Sequence, residues 1–434
     1  MNDGSRRGNA PLSSFIAGRT ELARPPAEYI WPQEVTAISP KYMLKLKMYP
    51  ARNGDSFLIE AAGSHVLIDA GYDSTYHDYI AGDLAAIAAT GGRLNLVVCT
   101  HIDSDHIGGL LAFFTANGPP GGRIIEVDTV WHNSLRSLPS PARSPSSARD
   151  QAILEAIRRR GFPGVGTPGP NPITARQGSS LAKLIKGNGY VWNDGDGTSS
   201  ITVSAAPLAL PGGLSVQVIG PTMARLEALR ALWLREAQKL GYDGTAQAAD
   251  LLDDAFEMLC AAIPDPVTPA TKTIAASANR RLADVYTPDK SISNASSIAF
   301  ILWSGAARLL LVGDAWSEDV VVELKKLQTA STPVFFDAIK VSHHGSLRNT
   351  SVDLLALADS PCFLVSTNGA GHHHPDFEVL AEIVDRPASF ERHIYFNYET
   401  AASKRLRTHT SRSGAPFSVH VAEHDWIPMG GVNS

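Results

Sequence analysis

Alternating and continuous runs of apolar residues predict strands in two separate parts of the chain. In the first part, residues 43–49 alternate between apolar and polar positions, and the runs 56–60 and 65–69 follow a turn at Asn53-Gly54-Asp55. A further apolar run ends at Cys99 and contains no strong turn former. Alternation is typical of a half-buried strand, and a short continuous run is typical of a fully buried one. We therefore expect the opening hairpins of a sheet followed by a central buried strand.

The second group of apolar runs lies near the C-terminus. Residues 293–303 and 307–315 are joined by Ser304-Gly305, which predicts a hairpin whose second strand ends on Asp314. Residues 337–346 also form a strand pattern that ends on polar residues, and a further strand, 363–367, leads into residues 369–375. Two more strands are predicted at 394–397 and 417–422. Several of these strand ends carry side chains that can bind metals: Asp314, His343, His344 and His374.

A long segment of different character separates the two groups. Residues 135–291 begin with Pro, Ser, Gly and Arg and continue with helical patterns at 224–240 and 247–262. Such a segment is long enough to cover the mouth of an active site. We predict a terminal arm at 1–42, a first half of the fold at 43–134, a partly helical insertion or lid at 135–291, and a second half at 292–434.

Composition narrows the class of protein. Of the 434 residues, 44% are hydrophobic and 19% are charged, and the net charge is −5. These values fit a globular protein without a generally basic surface, so any contact with nucleic acid must be local. Three widely spaced cysteines and the lack of an apolar leader or a membrane span predict a cytoplasmic location. A protein partner or a homodimer is expected through the arm or the insertion.

The densest chemistry follows the central strand. Of the six residues from 101 to 106, four are His or Asp, and Gly108-Gly109 then leads into a helix predicted from Leu110 to Ala116. Imidazole nitrogens and carboxylate oxygens at this spacing supply two half-sites for divalent metals: His101, Asp103, Asp105 and His106. The alternative is a polar loop with coincidental histidines, or a helix cap.

The motif H-x-D-x-D-H behind an apolar strand resembles that of the metallo-β-lactamase-fold hydrolases. With Asp103 at the second ligand position, the motif is similar to that of the branch that includes the C-terminal domain of ComEC-type competence DNA-uptake channels and choline-phosphoesterases. The resemblance covers residues 43–130 and 293–425. It implies an α/β fold of four layers, αββα, and two divalent metal ions, zinc or manganese.

The resemblance also implies roles for individual residues. Asp314 bridges both metals, and His344 joins Asp105 and His106 at the second metal. The run Lys340–Ser346 matches the family's "KVxHHGS", which leaves His343 as a donor to phosphate, although the two histidines can exchange roles. Two early carboxylates, Asp55 and Asp69, match segments that support the metal loop more often than they bind metal.

Two positions depart from the family pattern. Asn294 stands where many relatives place a third metal-binding histidine, so either it coordinates or orients water, or His132 takes its place. His132 follows a predicted strand, and the alternative role for it is a contact with substrate. His374 lies in a loop similar to the family's "GxHPHP", in which His373 replaces the first proline. We expect His374 to contact the scissile group, with a purely structural histidine cluster as the alternative. The predicted catalytic residues are Asp105, His343 and His374.

The expected function is hydrolysis of phosphodiester bonds, first of all in DNA, by a metal-activated hydroxide. Residues 404–412 contain five cationic side chains, His409 included, and no acid. They form either a solvated loop or a contact with the phosphate backbone through Lys404, Arg405 and Arg407. The alternatives are a small-molecule phosphodiesterase, another ester hydrolase of the same fold, and a non-catalytic module that binds a partner.

Overall fold

The computed structural model describes residues 44–139, 147–162, 179–244, 250–263, 280–328, 333–370 and 373–429. The predicted N-terminal arm, residues 1–42, lies outside these ranges, as do Gly371 and His372. Within them, no helix has the length and apolar character needed to cross a membrane.

The strands are β1 (Leu44–Met48), β2 (Phe57–Ala61), β3 (Ser64–Ile68), β4 (Leu94–Val98), β5 (Val130–Trp131), β6 (Leu208–Ala209), β7 (Leu214–Gly220), β8 (Ala299–Ser304), β9 (Ala307–Leu311), β10 (Val334–Phe335), β11 (Ala338–Lys340), β12 (Ala358–Asp359), β13 (Cys362–Val365), β14 (Arg392–Phe396), β15 (Phe417–Val421) and β16 (Trp426–Met429).

The helices are α1 (Asp73–Thr75), α2 (Ala81–Ala89), α3 (Ser104–Asn117), α4 (Ala148–Arg160), α5 (Leu181–Gly187), α6 (Met223–Lys239), α7 (Asp250–Cys260), α8 (Leu282–Val285), α9 (Ile292–Ala295), α10 (Ser317–Leu327), α11 (Val352–Leu357), α12 (Phe377–Asp385) and α13 (Ala401–Arg407). A π-helical turn spans Tyr76–Ile80, and 3₁₀ turns span Leu135–Ser137, Pro211–Gly213 and Ser342–Gly345.

Two large sheets organise the described residues. The first has the strand order β16-β1-β2-β3-β4-β5, and the second has the order β15-β14-β13-β11-β9-β8-β7-β6. Strand β1 follows the predicted alternation, since its leucines and methionine are buried while Lys45 and Lys47 are half-buried. Strand β4 is buried throughout because α3 covers one face and the second sheet covers the other.

Apolar contacts divide the molecule into four layers. Residues from both sheets, among them Val66 and Leu302, form one core between the sheets. The outer face of the first sheet packs with α2 and α3, and the outer face of the second sheet packs with α10 to α13. The predicted αββα architecture is confirmed.

The segment 135–291 is more integrated than we expected. Leu154, Trp233 and Phe256 share a core with Phe113 of α3, so α4 to α7 extend the first helical layer. Strand β7 pairs antiparallel with β8, so the second sheet includes strands well before residue 292. The physical reason is that β7 supplies the hydrogen bonds that the edge of β8 would otherwise lack. A role of this segment in controlling access to the site stays a prediction.

The basic segment near the C-terminus differs from the predicted loop. Residues 401–407 form helix α13, which begins at a reciprocal cap. The Thr400 hydroxyl accepts a hydrogen bond from the backbone of Ser403 at 3.0 Å, and the Ser403 hydroxyl accepts one from the backbone of Thr400 at 2.9 Å. This cap, together with the burial of Leu406, stabilises a helix that charge counting alone does not indicate.

Candidate metal centre

The first ligand loop joins β4 to α3. Asp103 is the N-cap of α3, and its backbone carbonyl accepts hydrogen bonds from the amides of His106 and Ile107 at 3.0 Å. The helix therefore begins at Ser104, ahead of the predicted start at Leu110, and Gly109 lies inside it. A β-carbon at Gly109 would lie 2.1 Å from the Ala70 carbonyl oxygen. This glycine allows α3 to pack against the end of β3, which places the first helical turn at the site.

The second ligand loop follows β11. His343 and His344 have φ angles of 45° and 56°, in the left-handed region that residues other than glycine rarely adopt. Strained backbone of this kind is concentrated at functional sites, where the surrounding structure holds it in place. The parallel strands β9, β11 and β13 end at the same edge of the sheet, so Asp314 lies beside this turn.

One carboxylate oxygen faces four histidines. The Oδ2 atom of Asp314 lies 3.4 Å from His106 Nε2, 3.5 Å from His344 Nε2, 3.7 Å from His343 Nε2 and 3.9 Å from His101 Nε2. The site is deeply buried, since Asp314, His101, His106 and His344 are each almost fully shielded from solvent. Side chains from both halves of the fold are thus brought around one atom.

The remaining carboxylates divide these histidines into two sets. Asp103 Oδ2 lies 3.4 Å from His101 Nε2, and Asp105 Oδ2 lies 3.5 Å from His344 Nε2. His106 shares a group with Asp105 and His344, while His101 shares one with His106 and Asp314. The structure thus assembles the residues named from the sequence, with Asp314 next to both sets.

The donor set fits divalent cations. The Nε2 atoms of His101 and His106 are buried, and no hydrogen-bond partner for them lies among the described residues. The opposite nitrogen of His106 faces Asp69 Oδ2 at 2.8 Å, and that of His344 faces the Ser366 carbonyl at 2.9 Å. This pattern, one ring nitrogen fixed and the other turned to a shared carboxylate, is typical of metal-binding histidines.

Asp69 and Asp55 lie behind the histidines. The Asp69 carboxylate also accepts hydrogen bonds from the backbone and the hydroxyl of Thr100, both at 2.7 Å. Asp55 Oδ1 lies 3.2 Å from His344 Nδ1. Both carboxylates therefore contact the outer nitrogens of site histidines, where they orient the rings.

A buried lysine joins two of the carboxylates. Lys340 is 2% exposed, contacts the carboxylate of Asp55, and lies 3.3 Å from Asp314 Oδ1. Its ammonium donates a hydrogen bond to the Gly313 carbonyl at 2.7 Å. Our sequence analysis assigned Lys340 no role, although a lysine within a buried strand is an unusual feature that could have singled it out.

Charge pairing shifts the protonation of the cluster. Burial alone would raise the pKa of Asp314, but the positive charges of His344 and His106 hold that pKa well below its ordinary value. Burial alone would lower the pKa of His344, but Asp314 and Asp55 raise it to about 10. The same balance of burial against Asp314 and Asp69 raises the pKa of His106. A metal-free site therefore holds protons at neutral pH.

Asn294 lies at the edge of the cluster. Its Nδ2 atom donates to Asp289 Oδ2 at 2.8 Å, and its buried Oδ1 atom has no hydrogen-bond partner within the described part of the chain. Asn349 donates to the same Asp289 oxygen at 2.9 Å, and the Oδ1 atom of Asn349 lies 2.8 Å from His343 Nδ1. Asp289 and Asn349 were missed in the sequence because nothing in their local pattern marks them.

The predicted substrate-facing residues are divided between two places. The ring of His374 lies 5.3 Å from that of His343, and its Nδ1 atom is 3.3 Å from Asp376 Oδ2. His132 is not brought to the cluster, because its Nε2 atom pairs with Glu257 at 2.8 Å and its ring stacks on Trp192. A buried histidine at this strand end is satisfied by a carboxylate from α7 rather than by the metal centre.

The basic side chains of α13 have partners of their own. Lys404 lies 3.1 Å from Glu399, and Arg407 contacts the same carboxylate. The guanidinium of Arg405 lies 3.6 Å from the centre of the Phe377 ring. The segment 404–412 contains no acid, but Glu399, which precedes α13, pairs with two of its cations.

The four layers and the histidine–carboxylate cluster are similar to those expected of the metallo-β-lactamase fold. Residues 49–185, which include the first ligand loop, match the family model described as "Metallo-beta-lactamase superfamily". No curated protein sequence matches the chain.

Solved structures of low sequence identity also resemble the chain. The metallo-β-lactamase fold protein YhfI from Bacillus subtilis is 9% identical with a TM-score of 0.35, over 89% of this chain and 99% of YhfI. CmlA, a diiron β-hydroxylase from Streptomyces venezuelae, is 12% identical with a TM-score of 0.32, over 90% of this chain and 54% of CmlA. Zn²⁺-bound PqqB from Methylobacterium extorquens is 11% identical with a TM-score of 0.31, over 86% of each chain.

Proposed function

We propose that this protein is a hydrolase that cleaves phosphodiester bonds with two divalent cations, zinc or manganese. The observation that carries the proposal is the convergence of His101, His106 and His344 on Oδ2 of Asp314, with Asp103 and Asp105 on the two sides. Bound cations would lower the pKa of a coordinated water toward about 7 and so supply a hydroxide at neutral pH.

The protein's own residues position the reactants. Asp105 is held by a hydrogen bond from Asn53 Nδ2 at 3.1 Å, and Asn294 presents a buried amide oxygen at the edge of the cluster. His343 lies beside Asp314 and the His374 ring lies next to that of His343, and we assign both histidines to hydrogen bonds with the substrate phosphate. Burial lowers the pKa of His374, so its ring is neutral at pH 7 and supplies a single N–H.

The preferred substrate in this proposal is DNA, in line with the ComEC-like motif. Helix α13 begins beside the loop that carries His374, since a β-carbon at Gly369 would lie 3.6 Å from both the His374 carbonyl oxygen and the Thr400 side chain. We assign Lys404 and Arg405, which lie on this helix, to contacts with a phosphate backbone that leaves the site.

A small phosphodiester is the second candidate, and one observation favours it. Glu399 contacts both Lys404 and Arg407, which lowers the positive potential available to a DNA backbone. A non-catalytic binding module is disfavoured because such a protein would have no need for this nearly complete set of donors.

The test is hydrolysis by the purified protein in Mn²⁺, Mg²⁺ and Zn²⁺. Labelled single- and double-stranded DNA and bis(p-nitrophenyl) phosphate are compared as substrates. We expect metal-dependent cleavage that Asp314→Asn abolishes and that Asp353→Asn, an exposed carboxylate in α11, leaves unchanged. Absence of cleavage of all three substrates in every metal would overturn the proposal. Cleavage of the small substrate alone would select the second candidate.

A further inference from the structure

An arginine and two tyrosines form a surface lip beside the metal centre, which we define as Arg52, Tyr72 and Tyr398. The backbone amide of Arg52 donates to the Tyr398 hydroxyl at 3.1 Å, and its guanidinium lies 5.6 Å from the centre of the Tyr72 ring. Arg52 is exposed and both tyrosines are half-buried. The lip therefore presents a cation and two aromatic rings to solvent.

Hydrogen bonds connect the lip to the metal centre. The Tyr72 hydroxyl donates to Asn53 Oδ1 at 3.0 Å, and Asn53 Nδ2 donates to Asp105 Oδ2 at 3.1 Å. Gly54 packs directly on the same loop, since a β-carbon there would lie 1.9 Å from the Asp105 carbonyl oxygen. The Tyr72 ring is thus two hydrogen bonds away from a carboxylate of the donor set.

Arg52 differs from the cations of α13. Among the residues that the structure describes, no carboxylate lies within ion-pair distance of Arg52, whereas Lys404 and Arg407 both contact Glu399. Its backbone also has a φ of 59°, a left-handed conformation that needs support from its surroundings. An unpaired cation held in such a conformation beside an active site is well placed to bind an anion.

We propose that this lip binds one nucleotide of the substrate, with Arg52 on a phosphate and the tyrosine rings against the base. This inference rests on the proposed function and adds the substrate class. A guanidinium recognises phosphate oxygens through two N–H groups, and aromatic side chains stack on any base. The nucleotide can belong to a DNA strand or to a small nucleotide diester, because the chemistry of the contacts is shared.

The test measures equilibrium binding to the metal-loaded protein by calorimetry. Thymidine 5′-monophosphate is compared with 2-deoxyribose 5-phosphate, which lacks the base. Stacking predicts that the base improves affinity about fivefold to a hundredfold. Tyr72→Leu should reduce this preference, while Tyr72→Phe, which keeps the ring, should retain most of it. Tyr398→Leu, which removes the second ring of the lip, should also reduce the preference.

The arginine has a matched control. Arg52→Gln should weaken both ligands, whereas Arg160→Gln, an exposed arginine in α4, should change neither. An oligothymidylate that binds much more tightly than the mononucleotide would assign the nucleotide to a strand, and equal affinities would assign it to a small ligand. Equal affinities of the parent protein for the two monophosphates would overturn the proposal that the lip binds a nucleotide. Hydrolysis of bis(p-nitrophenyl) phosphate, measured in parallel, reports on the proposed function separately.

Discussion

Replacing Lys340 with methionine should destabilise the metal-free protein strongly. The substitution keeps a side chain of similar length but removes the cation that lies between Asp55 and Asp314. It also removes the donor to the Gly313 carbonyl. Loss of one partner from a buried ion pair costs about 3–5 kcal/mol, because the remaining charge is left uncompensated.

The assay is equilibrium unfolding in urea at pH 7 after removal of metal by a chelator. Lys326→Met is the matched control, since the Lys326 side chain is mostly exposed where it pairs with Glu323, and pairs of an exposed lysine contribute about 0–1 kcal/mol. Adding Asp55→Asn to Lys340→Met should restore about 0.5–3 kcal/mol, because the amide that replaces this carboxylate carries no charge. If Lys340→Met loses no more stability than Lys326→Met, the lysine does not compensate the buried carboxylates.

Three further predictions concern protons, salt and an internal contact. Since Asp314 and Asp55 raise the pKa of His344 to about 10, metal binding should release protons, and the affinity for metal should fall as the pH falls. Calorimetry in buffers of different ionisation enthalpy measures this release, and finding none would contradict the prediction. Neutralising Lys404, Arg405 and Arg407 together should flatten the salt dependence of DNA binding by roughly one log–log unit per lost contact. An unchanged slope would show that these residues do not contact the phosphate backbone. Glu257→Gln should lower the free energy of unfolding by about 1–3 kcal/mol with unchanged metal content, whereas loss of metal would place His132 in the site after all.

The strands and the ligand motif could be predicted because their information is local. Alternation in β1 and the apolar run of β4 report burial directly, and the spacing from His101 to His106 places four donors on one loop and one helical turn. Asp314 and His344 follow from the same logic, since each stands at the end of an apolar strand.

Contacts between distant segments could not be predicted in this way. Nothing near His132 indicates that Glu257, from a helix 125 positions later, supplies its partner. Lys340 is part of a recognised motif, yet its role appears only when two carboxylates from other loops are placed around it. The capping pair of α13, Thr400 and Ser403, precedes the charged run 404–412, so the charge pattern does not indicate the helix.

The most direct test of the central claim is the metal content of Asp314→Ala. We expect the parent protein to bind about two divalent ions per chain, because Asp314 belongs to two groups of possible ligands, one with His101 and His106 and one with His343 and His344. Removing the shared carboxylate should lower the occupancy of both sets, so elemental analysis of the variant should find less than about one ion per chain. Asp353→Asn, purified and loaded in parallel, should match the parent. Undiminished binding of two ions by Asp314→Ala would contradict the account.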